Sequence, residues 1–193
     1  MDYQNNKAWV WEHLALTRAR SLTGTDELKG KLSQTIKDVI SKERDAETLR
    51  SEVRDMREKI EKEKGTDNIW DIKQVRGGQV DVEFICQYLQ LHLASNHPEI
   101  INTNTVNCLQ KIKELQLLEK DEIHLLVEAS HFYTDLIQII RLCTEKSFKP
   151  ETASMGLKLR LAQTANVETY EELVEKLTNT QKQVKKVFDQ IFI

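Results

Sequence analysis

Residues 41–64 carry 16 charged side chains, eight of each sign, yet Leu49, Val53, Met56 and Ile60 recur through them at intervals of four, three and four. Residues so spaced fall on one line of a helix, because about 3.6 residues complete a turn. One apolar seam in so charged a stretch predicts a long helix with a single face on a core. Leu28, Leu32, Ile36, Val39 and Ile40 form a second stripe of the same period, with Thr25 placed to cap it. Two prolines and six glycines are too few turn-formers for a sandwich or barrel of 193 residues. The expected fold class is all-α, a multi-helix bundle of about seven helices forming one domain over residues 1–193.

Further helices are expected over residues 5–21, 80–94, 104–115, 120–144 and 167–193, with Asn102 or Thr103 capping the one at 104. Residues 151–162 are a candidate short helix of no single period. Residues 65–78 form the longest expected non-helical stretch, and a long loop inside a compact domain is often functional.

The charge balance of −3 gives no case for nucleic-acid binding. The longest stretch free of Asp, Glu, Lys and Arg, residues 84–98, is too short and polar to span a bilayer. No signal peptide is visible. Cys86, Cys108 and Cys143 are odd in number and set among apolar neighbours, which reads as reduced core thiols and a cytoplasmic protein.

Most chemical motifs fail on inspection. Gly30-Lys31-Leu32 resembles a phosphate loop, but Thr25 stands where the leading glycine belongs and Leu32 where Ser or Thr belongs. Glu128-Ala129-Ser130-His131 is a single Glu-x-x-His with His124 a turn before it, whereas di-iron bundles need two such motifs and two more glutamates. No metal site is expected. Glu12-His13, beside two tryptophans, reads as a helix surface with packed aromatics.

What remains is Arg76-Gly77-Gly78-Gln79-Val80-Asp81-Val82-Glu83-Phe84, a paired-glycine break running straight into an apolar helix. Glycine pairs permit a sharp turn or a close backbone approach, and acids in a first helical turn meet the positive end of the dipole. Asp81 and Glu83 lie about 200° apart around a helix, so they do not face one ligand. One reading is a capped, buried helix start with an Arg–Asp bond. The other adds Arg54, Arg57, Lys73 and Arg76 as a cationic wall; Arg50, Arg54 and Arg57 share a face beside the apolar seam.

Three ordered segments carry a resemblance. Ala8-Trp9-Val10-Trp11-Glu12-His13-Leu14-Ala15-Leu16-Thr17-Arg18-Ala19-Arg20, Val53-Arg54-Asp55-Met56-Arg57-Glu58-Lys59-Ile60, and Gly77-Gly78-Gln79-Val80-Asp81-Val82-Glu83-Phe84-Ile85 resemble bacterial glutamine synthetase adenylyltransferase. Val10 and Val82 stand where that family often has Thr and Ile. The resemblance implies a protein of two halves, each a nucleotidyltransferase domain followed by a helical bundle. One half moves AMP from ATP, with Mg²⁺, onto a tyrosine of glutamine synthetase, and the other removes it by phosphorolysis. The Trp-x-Trp-Glu-His opening matches the transferase half. The family's Gly-Ser-x-x-Asp-x-Asp metal motif is absent from this sequence, so the chain resembles the bundle alone, without the nucleotidyltransferase domain. It is then expected to have no catalytic residue and to bind no cofactor by itself.

The resemblance further implies a supporting role toward the nucleotide for Arg54, Arg57, Lys73, Arg76, Gly77, Gly78, Asp81 and Glu83. On that view, Arg57→Ala and Asp81→Asn lower adenylylation more than stability. The implied partners are glutamine synthetase, the PII signal protein and the nucleotidyltransferase domain. The alternatives are a non-enzymatic module binding PII or glutamine synthetase, or part of a PII uridylyltransferase.

Overall fold

In a computed structural model, residues 3–4, 7–145 and 148–193 are described, and they are helical with no strand. Among the described residues from Lys7 onward eight α-helices follow in order: α1 (Val10–Leu16), α2 (Asp26–Ile40), α3 (Ala46–Lys64), α4 (Gln79–Leu93), α5 (Thr105–Glu114), α6 (Lys120–Cys143), α7 (Met155–Thr164) and α8 (Tyr170–Phe192). A 3₁₀ turn, Pro98–Ile100, joins α4 to α5. The all-α expectation holds, and the undecided stretch near residue 155 is a full helix.

The helix starts follow capping chemistry. Side chains of Thr25, Asp45, Asn104, Ser154 and Thr169 each accept a hydrogen bond from the backbone N–H three residues on, satisfying donors that a helix leaves free at its first turn. The cap of α5 is therefore Asn104, and Asn102 accepts from the Asn104 N–H instead. The charged helix begins at Ala46 rather than at residue 41, because Arg44 folds back over the end of α2. Its guanidinium donates to the carbonyls of Val39 at 2.7 Å and Ile40 at 2.9 Å. The first helix is shorter than expected, closing at Leu16 where the Thr17 hydroxyl donates to the Leu14 carbonyl. The start expected for it, at residue 5, lies outside the described residues.

The core is built around α4. Val80, Val82, Ile85, Cys86, Tyr88, Leu89 and Leu91 of this helix are all buried, as expected of a helix apolar around most of its circumference. It packs against α1, α3, α5, α6 and α8. The seam of α3 enters this core through Leu49 and Val53, 1% and 0% exposed. Cys86 and Cys108 are core thiols as expected, but Cys143, the last residue of α6, is exposed. The tryptophans of α1 also depart from expectation: Trp9 and Trp11 are 68% and 51% exposed while the neighbouring His13 is buried. His13 holds the Gln4 carbonyl through Nε2. Among the described residues, no helix is long and apolar enough to cross a membrane.

Candidate functional site

Residues 65–78 form a chain of tight turns pressed into the bundle. Asn68 starts the series, its side chain accepting from the Trp70 N–H at 3.0 Å and its carbonyl from Asp71. Trp70, Ile72 and Val75 are buried. The Trp70 ring stacks on Tyr170 of α8 at 5.6 Å and lies tilted against Phe148 at 4.8 Å. The Ile72 and Val75 carbonyls accept from Gln79 and Gly78, so the loop's own backbone caps α4.

Both glycines are required there. Gly77 has φ +76°, and a Cβ on it would lie 1.8 Å from the Gln181 carbonyl oxygen of α8. A Cβ on Gly78 would lie 2.3 Å from the Ile72 carbonyl oxygen. The pair therefore serves close backbone approach on two sides, one to α8 and one to the loop itself.

Asp81 is the centre of what the glycines bring together. Its carboxylate is fully buried and accepts from Arg57 Nε of α3, from the Gly77 N–H at 2.5 Å and from Arg76 at 3.3 Å. Arg57 is 1% exposed and also donates to the Gln74 carbonyl at 3.1 Å. Tyr133 of α6 donates its hydroxyl to the Gly77 carbonyl at 2.8 Å. Burial, with the Asp81 charge second, raises the Tyr133 pKa well above the ordinary phenol value, which keeps that donor protonated. Gln181 of α8 donates to the Ile69 carbonyl at 2.8 Å. Arg76 emerges at the rim, 20% exposed, over the Phe188 ring at 4.6 Å and within 3.4 Å of Asp189 and 3.6 Å of Glu61. One loop is thus fastened to α3, α4, α6 and α8 by a buried charged knot.

The predicted site residues divide on this geometry. Arg57, Gly77, Gly78 and Asp81 are interior and engaged with one another, so the buried helix start with an Arg–Asp bond is what the structure contains. The cationic wall does not form as one surface. Arg57 turns inward because the apolar seam of α3 carries it into the core, while Arg54 stays out beside Asp55 and Arg50 beside Glu47. Asp81 and Glu83 diverge as helical spacing requires: Glu83 pairs with Arg18 at 2.9 Å on another side of α4. Lys73 is exposed and lines an open groove of about 560 Å³ with Trp70, Ile140, Arg141 and Phe148. The Glu-x-x-His of α6 spends its glutamate in a surface pairing of Glu128 with His124 at 3.4 Å. Nothing in the sequence around the loop marks Tyr133, Gln181 and Asp189, which lie 50 or more residues away along the chain.

A helical domain braced by an acid at the start of its central helix is the class defined by this fold and knot. A family model described as GlnD PII-uridylyltransferase matches residues 44–192, which includes the knot, and the chain belongs to that family. Curated relatives carry another name. The bifunctional glutamine synthetase adenylyltransferase/adenylyl-removing enzyme of Bradyrhizobium diazoefficiens is 40% identical over 187 residues, 97% of this chain and 19% of the relative. Proteins of the same name from Rhodopseudomonas palustris strain BisB5 and Xanthobacter autotrophicus are 38% and 39% identical over 98% of the chain. The chain spans about a fifth of the length of the curated relatives it matches, 19% in each case. The resemblance visible in the first ninety residues therefore extends over nearly the whole chain.

Proposed function

We propose that this chain acts as the helical domain of a glutamine synthetase adenylyltransferase, the protein that moves AMP from ATP to a tyrosine of glutamine synthetase and removes it by phosphorolysis. The observation that carries the reading is the 40% identity over 97% of the chain to a relative bearing that name. The part proposed for this domain is positional. Nucleotidyl transfer depends on holding the reactants in line and on placing charge where charge develops. Bound ATP and Mg²⁺ supply the reacting phosphate and its charge neutralisation, on a nucleotidyltransferase domain distinct from this bundle.

The Arg57–Asp81–Gly77 knot fixes the loop at residues 65–78, and that loop carries Lys73 at its surface and Arg76 at the rim of the knot. Those two cations and Arg54 are the groups of this chain proposed to face the nucleotide or the protein substrate. PII is a proposed regulatory partner, and a cytoplasmic setting is proposed for the whole. The uridylyltransferase reading, in which PII is the acceptor, is favoured by the family model's description alone.

The test replaces the matching fifth of the Bradyrhizobium diazoefficiens protein with this chain. With glutamine synthetase and labelled ATP, the chimera is expected to adenylylate and the isolated chain is not. In the chimera, Lys73→Ala is expected to lower the rate about tenfold, roughly 1.4 kcal/mol of barrier, with no change in urea midpoint because Lys73 is exposed. Robust labelling of glutamine synthetase by the isolated chain, or a folded chimera that transfers UMP to PII instead, contradicts the reading.

A further inference from the structure

We infer that the exposed apolar ledge of α2 is a docking surface, and that its occupant is an apolar face of the nucleotidyltransferase-bearing part of the enzyme. The inference rests on the function proposed above and names the surface through which the bundle meets its catalytic neighbour.

Helix α2 is complete in every respect except burial. Thr25 caps its start and Arg44 caps its end. Along its sides Lys31 pairs with Glu27 at 2.6 Å and Lys29 with Asp26 at 4.0 Å, and the Gln34 amide donates to Asp38 at 2.7 Å. The apolar stripe, by contrast, is seated only at its C-terminal end. Val39 and Ile40 are 2% and 0% exposed, whereas Leu32 and Leu28 rise to 44% and 58%. Isolated helices of this length are marginal in water and owe most of their stability to packing of an apolar face. Past Ile36, which still packs against the core, the stripe continues as an apolar ledge of Leu32 and Leu28 on an otherwise polar helix.

Two observations select the occupant. The helix carries three lysines and three acids, so it offers no net charge to a nucleic acid or an acidic peptide, and its exposed leucines call for an apolar partner. Length points the same way: the relatives carry about four-fifths of their chain outside the stretch matched here, 19% of each being covered. Of the other large exposed side chains near this end of the sequence, Trp9 and Trp11 lie at the start of α1, the helix on which α2 packs, and Leu22 lies in the connection between the two.

The experiment places a single reactive thiol on the ledge, Leu32→Cys in a Cys143→Ser background, and follows maleimide labelling. Cys86 and Cys108 are buried and do not compete. Labelling is compared between the isolated chain and the Bradyrhizobium chimera described above. The expected result is fast labelling in the isolated chain and at least about tenfold slower labelling in the chimera, as protection by a packed neighbour requires. Equal rates in a folded chimera overturn the inference, and if that chimera still adenylylates, the proposed function stands without it. Slowed labelling in a chimera that does not adenylylate keeps the surface and removes the function. Slow labelling in the isolated chain, with a dimer by light scattering that Leu32→Glu dissociates, assigns the ledge to a second copy and overturns the inference as well.

Discussion

Gly77→Ala is expected to cost more than about 4 kcal/mol, beyond the range of ordinary substitutions, and to leave a chain of this size marginally folded or unfolded. Two penalties combine. The φ of +76° is one that residues with a Cβ rarely adopt, and the added methyl would overlap the Gln181 carbonyl, with its oxygen at 1.8 Å and its carbon at 2.7 Å. These are backbone atoms in the middle of α8, so no side chain can swing aside. Relief requires α8 to move as a body, which pulls Gln181 from the Ile69 carbonyl and disturbs Val184 and Phe188 in the core. A urea titration of the isolated chain measures the loss. Gly30→Ala is the matched control: nothing lies within 4 Å of its added methyl, and alanine in a helix interior is favoured by about 1 kcal/mol. The same change is thus expected to act in opposite directions at two glycines.

Asp81→Asn is expected to cost about 3–5 kcal/mol, the range found when one partner of a buried ion pair is removed. The substitution keeps size and shape but takes away the anion that faces Arg57 and Arg76. Arg57 is then a buried cation with no carboxylate beside it, and its Nη1 already lacks a hydrogen-bond partner. The asparagine amide group also meets donors where the carboxylate accepted three of them. Replacing both charges, Arg57→Met with Asp81→Leu, is expected to be less harmful than Asp81→Asn alone, because no charge is stranded. Urea midpoints of the three variants against wild type decide this. Activity in the chimera is expected to fall in step with stability, whereas the reading of an open cationic wall expects activity to fall first. That expectation placed Arg57 on an open wall, and the structure places it inside.

Much of the bundle is legible in the sequence because helix periodicity is local. The stripes of α2 and α3 and the apolar run of α4 can each be read within a dozen residues, as can the acid at the start of α4. The knot is only half legible. Helical spacing alone sets Asp81 and Glu83 on different sides of α4, and that is enough to rule out a paired-carboxylate site. Which arginine reaches Asp81 depends instead on how α3 rolls against α4. The apolar seam sets that roll: it buries Leu49, Val53 and Arg57 together and leaves Arg54 outside. Tyr133, Gln181 and Asp189 come from helices that reach the loop only after folding, and no spacing within the loop announces them. The exposed tryptophans of α1 escape a sequence reading for a related reason. An aromatic at a helix start looks like core until the neighbour that would cover it is sought.

Hydrogen exchange of the Gly77 amide tests the brace most directly. That N–H donates to a fully buried carboxylate at 2.5 Å, within a loop whose neighbours at residues 67 and 68 are exposed. If the knot holds the loop to the bundle, the Gly77 amide exchanges only when the whole domain unfolds, at the free energy measured for core amides such as Ile85. Exchange of Gly77 as rapid as that of Asp67 would show that the loop opens by itself, and would contradict the account.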